Sequence, residues 1–162
     1  MRKILRHLYF SLLGIRPYFS STDLAAIDAA VAQSERMHGC QLSLALEGSM
    51  PLCDLFRGKS CRERAWEIFS LERLWDTERN VGVLMYLSLT DRKVEIVVDR
   101  GIAKVLDETT LEPLCRNLET HFRKSNFKNG VIELLESLSR SLAAHYPPNT
   151  GSDEIPRRVS IY

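Results

Sequence analysis

The chain reads as an α/β protein, a three-layer α/β/α sandwich around a small mixed β-sheet with a central β-hairpin. Three observations predict this. Val81 to Leu89 is a nine-residue apolar run broken only by Gly82 and Ser88, the pattern of a strand buried on both faces. A polar turn, Thr90-Asp91-Arg92, leads into Lys93-Val94-Glu95-Ile96-Val97-Val98-Asp99, whose alternation marks a strand with one polar side. Helical patterns flank this hairpin, and one more strand lies between helices, so the sheet is mixed and covered on both faces.

Each element has a local reason. The amino end, residues 1–19, holds an apolar patch from Leu8 to Ile15 and is expected to form an ordered arm packing Leu5, Leu8, Phe10 and Leu12 on the domain. Ser20 and Asp23 stand at capping-box spacing and open a helix whose inner face is Leu24, Ile27, Val31 and Met37. Gly39 ends it, and Gln41 to Glu47 alternates as a strand. Residues 48–59 hold Pro51 and two glycines and read as a loop. Ser60 and Glu63 repeat the capping-box spacing and open a helix to about Leu74, with Ala65, Trp66, Ile68 and Phe69 towards the core.

After the hairpin, residues 101–108 form a connection with room for one short turn. A helix follows from about Leu111 to Lys124, capped by Thr110, with Pro113 in its first turn. The last helix spans Phe127 to His145 on the stripe Val131, Leu134, Leu135, Leu138 and Leu142, and Pro147-Pro148 stops it. The domain therefore covers residues 20–146, and the polar segment 147–162 reads as a flexible tail.

Composition narrows the function classes. The chain has 162 residues, 22 basic against 21 acidic and a net charge of +1, so no long-range field draws it to nucleic acid. No apolar run approaches the length of a membrane helix. The basic, apolar amino end has no small-x-small cleavage site, and Arg16-Pro17 interrupts it, so a cytoplasmic protein is expected. Residues 1–16 nevertheless carry Arg2, Lys3, Arg6 and Arg16 beside Leu8, Tyr9 and Phe10, a pattern that also suits contact with a membrane surface. Cys40, Cys53, Cys61 and Cys115 form no CxxC pair and read as reduced thiols.

Most catalytic plans fail on spacing. There is no GxxxxGK[ST] loop, no GxGxxG after a strand and no GxSxG elbow. A cysteine phosphatase needs an arginine six residues after its nucleophile, and those places hold Leu46, Lys59, Glu67 and His121. His7, His38, His121 and His145 share no HExxH spacing, and single helical histidines are expected at surfaces or caps. Oxygen chemistry remains. An antiparallel hairpin brings the start of its first strand beside the end of its second, so Asp76, Glu78, Asn80 and Asp99 are expected on one rim. Calcium or magnesium takes such ligands. Arg79 and Arg100 stand among these carboxylates, placed to pair with them. Asp91, at the other end, is explained by turn chemistry.

The segments ERAWEIFSLERLWDTERNVGVLMYLSLTDRKVEIVVDRGI and ETHFRKSNFKNGV, with Ser34-Glu35-Arg36-Met37-His38 ahead of the first strand, resemble the TPM domain family. The likeness is nearest to the short bacterial members that lack signal and membrane segments, and it covers most of residues 20–147. It implies an α/β/α sandwich. It also implies acid phosphatase activity or divalent-cation binding, since members of the family are described as doing either. The family's usual Asp-Asn-Gly ahead of the apolar strand is Asn80-Val81-Gly82 here, and the Gly-Glu that opens the first strand of short members is Cys40-Gln41.

The expected function is a non-catalytic cytosolic binding module for a protein or small-molecule partner, with calcium or magnesium at the rim. The alternative is an acid phosphatase acting on phosphomonoesters. There, Asp76 or Asp99 would serve as metal ligand or base, and Arg79 or Arg100 would hold the phosphate.

Overall fold

The computed structural model describes residues 2–148 and 158–162. The strands are β1 (Gln41–Glu47), β2 (Gly82–Ser88), β3 (Lys93–Val98) and β4 (Arg158–Ile161), in the order β3-β2-β1-β4. β2 and β3 are the expected antiparallel hairpin, whereas β1 runs parallel to both β2 and β4. The helices are α1 (Arg2–Leu13), α2 (Ser21–Glu35), α3 (Leu52–Phe56), α4 (Cys61–Leu71), α5 (Glu108–Arg123) and α6 (Phe127–His145), with a single 3-10 turn at Ile102–Lys104.

Two cores separate the layers. Leu42, Leu44 and Leu46 of β1, Val83, Met85 and Leu87 of β2, and Val94 and Ile96 of β3 join the larger core with α2, α5 and α6. Ala45, Leu84, Tyr86 and Val97 point the other way, into a smaller core with Ala65, Ile68 and Phe69 of α4. The expected stripe of α6, Val131 to Leu142, is wholly buried. Each such side chain contributes about 1.5–3 kcal/mol relative to leaving it in water. Both capping boxes form: Ser20 and Asp23 close the start of α2, Ser60 and Glu63 that of α4. The sandwich is as expected.

Several elements depart from expectation. The amino arm is a helix, but it buries His7 rather than Leu5, Leu8 and Leu12, all of which are exposed. Residues 48–59 contain α3. Trp66 is 45% exposed, on the outer side of α4, and Met37 lies past the end of α2 and is also exposed. α5 begins earlier than expected, because the Asp107 carboxylate accepts the Thr110 N–H and caps it, so Pro113 falls beyond the first turn. The carboxyl end is not tail throughout: Arg158–Ile161 is a parallel edge strand on β1, a pairing that its Arg, Val, Ser and Ile do not advertise locally. The part of the expected tail at 149–157 lies outside the described residues.

Candidate functional site

The rim of the hairpin is built by close backbone approach. Asn80 has φ 55°, a left-handed conformation that asparagine tolerates better than most residues. From there its carbonyl accepts the Gly101 N–H at 3.1 Å. A Cβ on Gly101 would sit 2.3 Å from that carbonyl oxygen, and one on Gly82 would sit 1.8 Å from Leu74 O. Both glycines are required by space alone. The Tyr146 hydroxyl donates to Gly101 O at 2.9 Å and ties the end of α6 to the same corner.

The rim residues separate into two groups. Asn80, Asp99 and Arg100 come together: Arg100 Nε donates to Asn80 Oδ1 at 2.8 Å, and Asp99 Oδ1 accepts the Arg100 backbone N–H at 2.7 Å. Asp76, Glu78 and Arg79 are exposed on the preceding turn. Among the described residues, no three histidine, cysteine, aspartate or glutamate side chains converge as a metal-binding group. Asn80 Oδ1 is taken by the Arg100 guanidinium in this arrangement, whereas calcium takes about six to eight oxygens. One atom is unsatisfied: Asp99 Oδ2 is buried and has no hydrogen-bond partner among the described residues.

Asp99 stands at one end of a groove of about 950 Å³ along the open edge of β3, between α4 and α5. The Asp99 N–H bonds back to Gly82 O. With the pairing of Val98 to Val83 and Ile96 to Met85, this turns the backbone of Val94, Ile96 and Val98 outward. Arg62 of α4 reaches over and donates to Ile96 O at 2.8 Å, and the Cys115 thiol of α5 lies against the Ile96 amide. The edge is therefore covered at its middle by two side chains, a common guard against strand pairing. Burial pushes the Cys115 thiol up to about 12, which keeps it protonated and a poor nucleophile.

Charge in the groove is nearly but not wholly balanced. Glu95, Asp99, Asp107, Glu108, Glu112 and Glu119 face Arg62, Lys93, Arg100 and Arg116 there, six acids against four bases. Arg62 lies 3.5 Å from Glu95 and 3.8 Å from Glu108, Lys93 pairs with Glu119 at 3.1 Å, and Arg116 pairs with Glu112 at 2.5 Å. Asp107 caps α5. Arg100 is turned onto Asn80. The surplus negative charge is thus shared among Glu95 and Glu108, which have one arginine between them, Asp107 and Asp99. Burial raises the Glu95 carboxyl above its usual range, opposed by Arg62.

Two other polar clusters are structural. Glu47, at the end of β1, accepts the Tyr86 hydroxyl at 2.5 Å and Arg64 Nε at 2.9 Å, and Arg64 also donates to Glu67 at 2.8 Å. Burial and the Glu47 carboxylate push the Tyr86 phenol up. The second cluster anchors α1. His7 Nδ1 accepts the Met50 N–H at 3.2 Å, which leaves Nε2 as the donor to Asp91 Oδ1 at 3.1 Å. Arg6 reaches the same oxygen at 2.6 Å. Asp91 therefore holds a helix as well as a turn, and His7 and His38 are core histidines, not surface ones.

The alternation of β3 puts Lys93 and Glu95 on its wet face, but no sequence pattern marks Arg62, Trp66 or Cys115 as neighbours of that strand. Their surroundings depend on how α4 and α5 straddle the edge. The capping-box register of α4 was the one available signal: it sets Arg62 and Trp66 four residues apart on one face.

Comparison with known proteins agrees with this architecture. A TPM domain model matches residues 17–141. The solution structure of the BA42 protein from the psychrophilic bacterium Bizionia argentinensis is similar, with a TM-score of 0.73, 23% identity, and coverage of 86% of this chain and 92% of that one. The amino-terminal domain of a protein from P. gingivalis is similar with a TM-score of 0.66, 14% identity, and coverage of 83% of each chain. At these identities the two structures speak for the fold alone. No curated protein matches. The family match spans well over half of the sequence, and the chain belongs to the TPM domain family.

Proposed function

We propose that the chain is a non-catalytic binding module, and that its ligand is an extended basic segment of a partner protein that seats in the groove beside β3 and brings a positive group to Asp99. The observation that carries this reading is the buried, unpartnered Asp99 Oδ2 at the end of that groove. A carboxylate oxygen left so costs about 1–3 kcal/mol or more, since the group carries charge. Folding gains nothing from it, whereas a bound cationic group would satisfy it. The surplus acid charge favours a basic ligand, and the run of the groove alongside β3 suits an extended one.

Calcium or magnesium is the other source of positive charge at this oxygen, and melting of metal-stripped protein separates the two. An ion at a hundredfold excess over its dissociation constant would stabilise by about 2.7 kcal/mol, or roughly 5–10 °C in a domain of this size. The proposal predicts less than about 1 °C with either ion. A full shift, lost in Asp99→Ala, would make the ion the ligand. No feature of the groove favours the acid phosphatase reading: its thiol is held protonated, and Arg100 is turned onto Asn80. A chromogenic phosphomonoester at pH 5–7, with and without metal, should stay intact. Hydrolysis abolished by both Asp76→Ala and Asp99→Ala would overturn the proposal.

A further inference from the structure

The helix α1 is mounted inside out. The residue it buries most completely is His7, fixed to Asp91 and to the Met50 amide. Its large apolar side chains point away: Leu5 is 61% exposed, Leu8 47%, Tyr9 63% and Leu12 85%. These four positions follow the i, i+3, i+4, i+7 spacing of one helical face, so they form a continuous stripe opposite the anchored side. Leaving such a stripe in water costs the helix its usual driving force. α3, which packs against α1, also exposes Leu52 and Phe56 beside Arg57.

We propose that this face lies on an anionic lipid surface. Charge selects that occupant. The sequence of α1 has three basic residues and no acidic one; Arg6 shares the Asp91 carboxylate with His7, while Arg16 and Arg57 are exposed nearby. An apolar stripe on a helix whose own charged residues are all basic is the pattern of an interfacial helix, whose cations meet lipid phosphates while its leucines enter the acyl boundary. No helix among the described residues is long and apolar enough to cross a membrane, so α1 would lie in the surface plane. The groove beside β3 is built from other elements and would remain open to a ligand.

Sedimentation of the full chain with vesicles tests this. Vesicles rich in phosphatidylglycerol should bind the protein roughly tenfold or more tightly than phosphatidylcholine vesicles, with the difference shrinking at high salt. The double variant Leu5→Glu, Leu12→Glu should lower binding to the anionic vesicles by roughly a hundredfold. Its melting temperature should move by less than about 2 °C, because both side chains are already in water. Absence of binding to anionic vesicles would overturn the proposal, as would binding that the double variant leaves intact. A concentration-dependent dimer, lost in the same variant and accompanied by no vesicle binding, would also overturn it and assign the face to a second copy of the chain.

Discussion

At the scale of single residues, burial decides what the titratable groups can do. His38 is buried between α2, β1 and α6. Its Nδ1 accepts the Cys40 N–H at 3.2 Å, and its Nε2 lies 3.2 Å from Ser34 Oγ, which in turn bonds Ser139. Burial lowers its pKa below the ordinary 6.5. The unfolded chain therefore binds a proton that the folded one refuses, so stability is complete above about pH 6.5 and falls as the pH drops below it. Thermal melts from pH 7.5 to 5 should show this slope, and His38→Gln should reduce it; an unchanged slope would place the titrating group elsewhere. Cysteine behaves by the same rule. Burial pushes Cys40 and Cys115 up to about 12, while Cys53 is exposed. Iodoacetamide at pH 8 should label Cys53 on the native protein and spare Cys40 and Cys115 until it unfolds. Early labelling of Cys115, read by mass spectrometry, would mean that the α5 side of the groove opens.

At the scale of elements, the hairpin rim and the Glu47 pair carry much of the local stability. Gly101→Ala sets a methyl against Asn80 O, and Gly82→Ala sets one against Leu74 O at still shorter range. Both should destabilise, Gly82→Ala the more, with Tm falling in that order. Glu47 and Arg64 are a buried pair at 2.8 Å. Removing one partner strands the other, so Arg64→Ala should cost about 3 kcal/mol, or roughly 6–12 °C in Tm. A loss under about 1 kcal/mol would show that water reaches Glu47 freely. β4 closes the β1 edge, and Tyr162 continues it, donating its N–H to Leu46 O at 2.9 Å. Deleting residues 158–162 should cost roughly 2–4 kcal/mol in lost backbone bonds and, by exposing β1, promote self-association visible in light scattering.

At the scale of the whole molecule, legibility followed the range of the interactions. Both capping boxes, the hairpin and the α6 stripe rest on residues within a few positions of one another, and all were readable. The cap of α5 was missed by three residues because Thr110 and Asp107 both carry capping oxygens, and only the fold selects between them. His7 and β4 were not readable, since a buried histidine needs Asp91 from a distant turn and a short polar strand needs an open edge. The rim was partly readable: hairpin geometry joined Asn80, Asp99 and Arg100 but left Asp76 and Glu78 exposed. The groove depends on two helices placed around one edge strand, which no local pattern encodes. On the proposed function, this groove receives a positive group at Asp99. An amide-resolved NMR titration of metal-stripped protein with hexalysine is the test of that. The prediction is saturable shifts along Lys93–Gly101 that weaken with salt and vanish in Asp99→Ala. Spectra unchanged by hexalysine, or shifts that persist in Asp99→Ala, would contradict it.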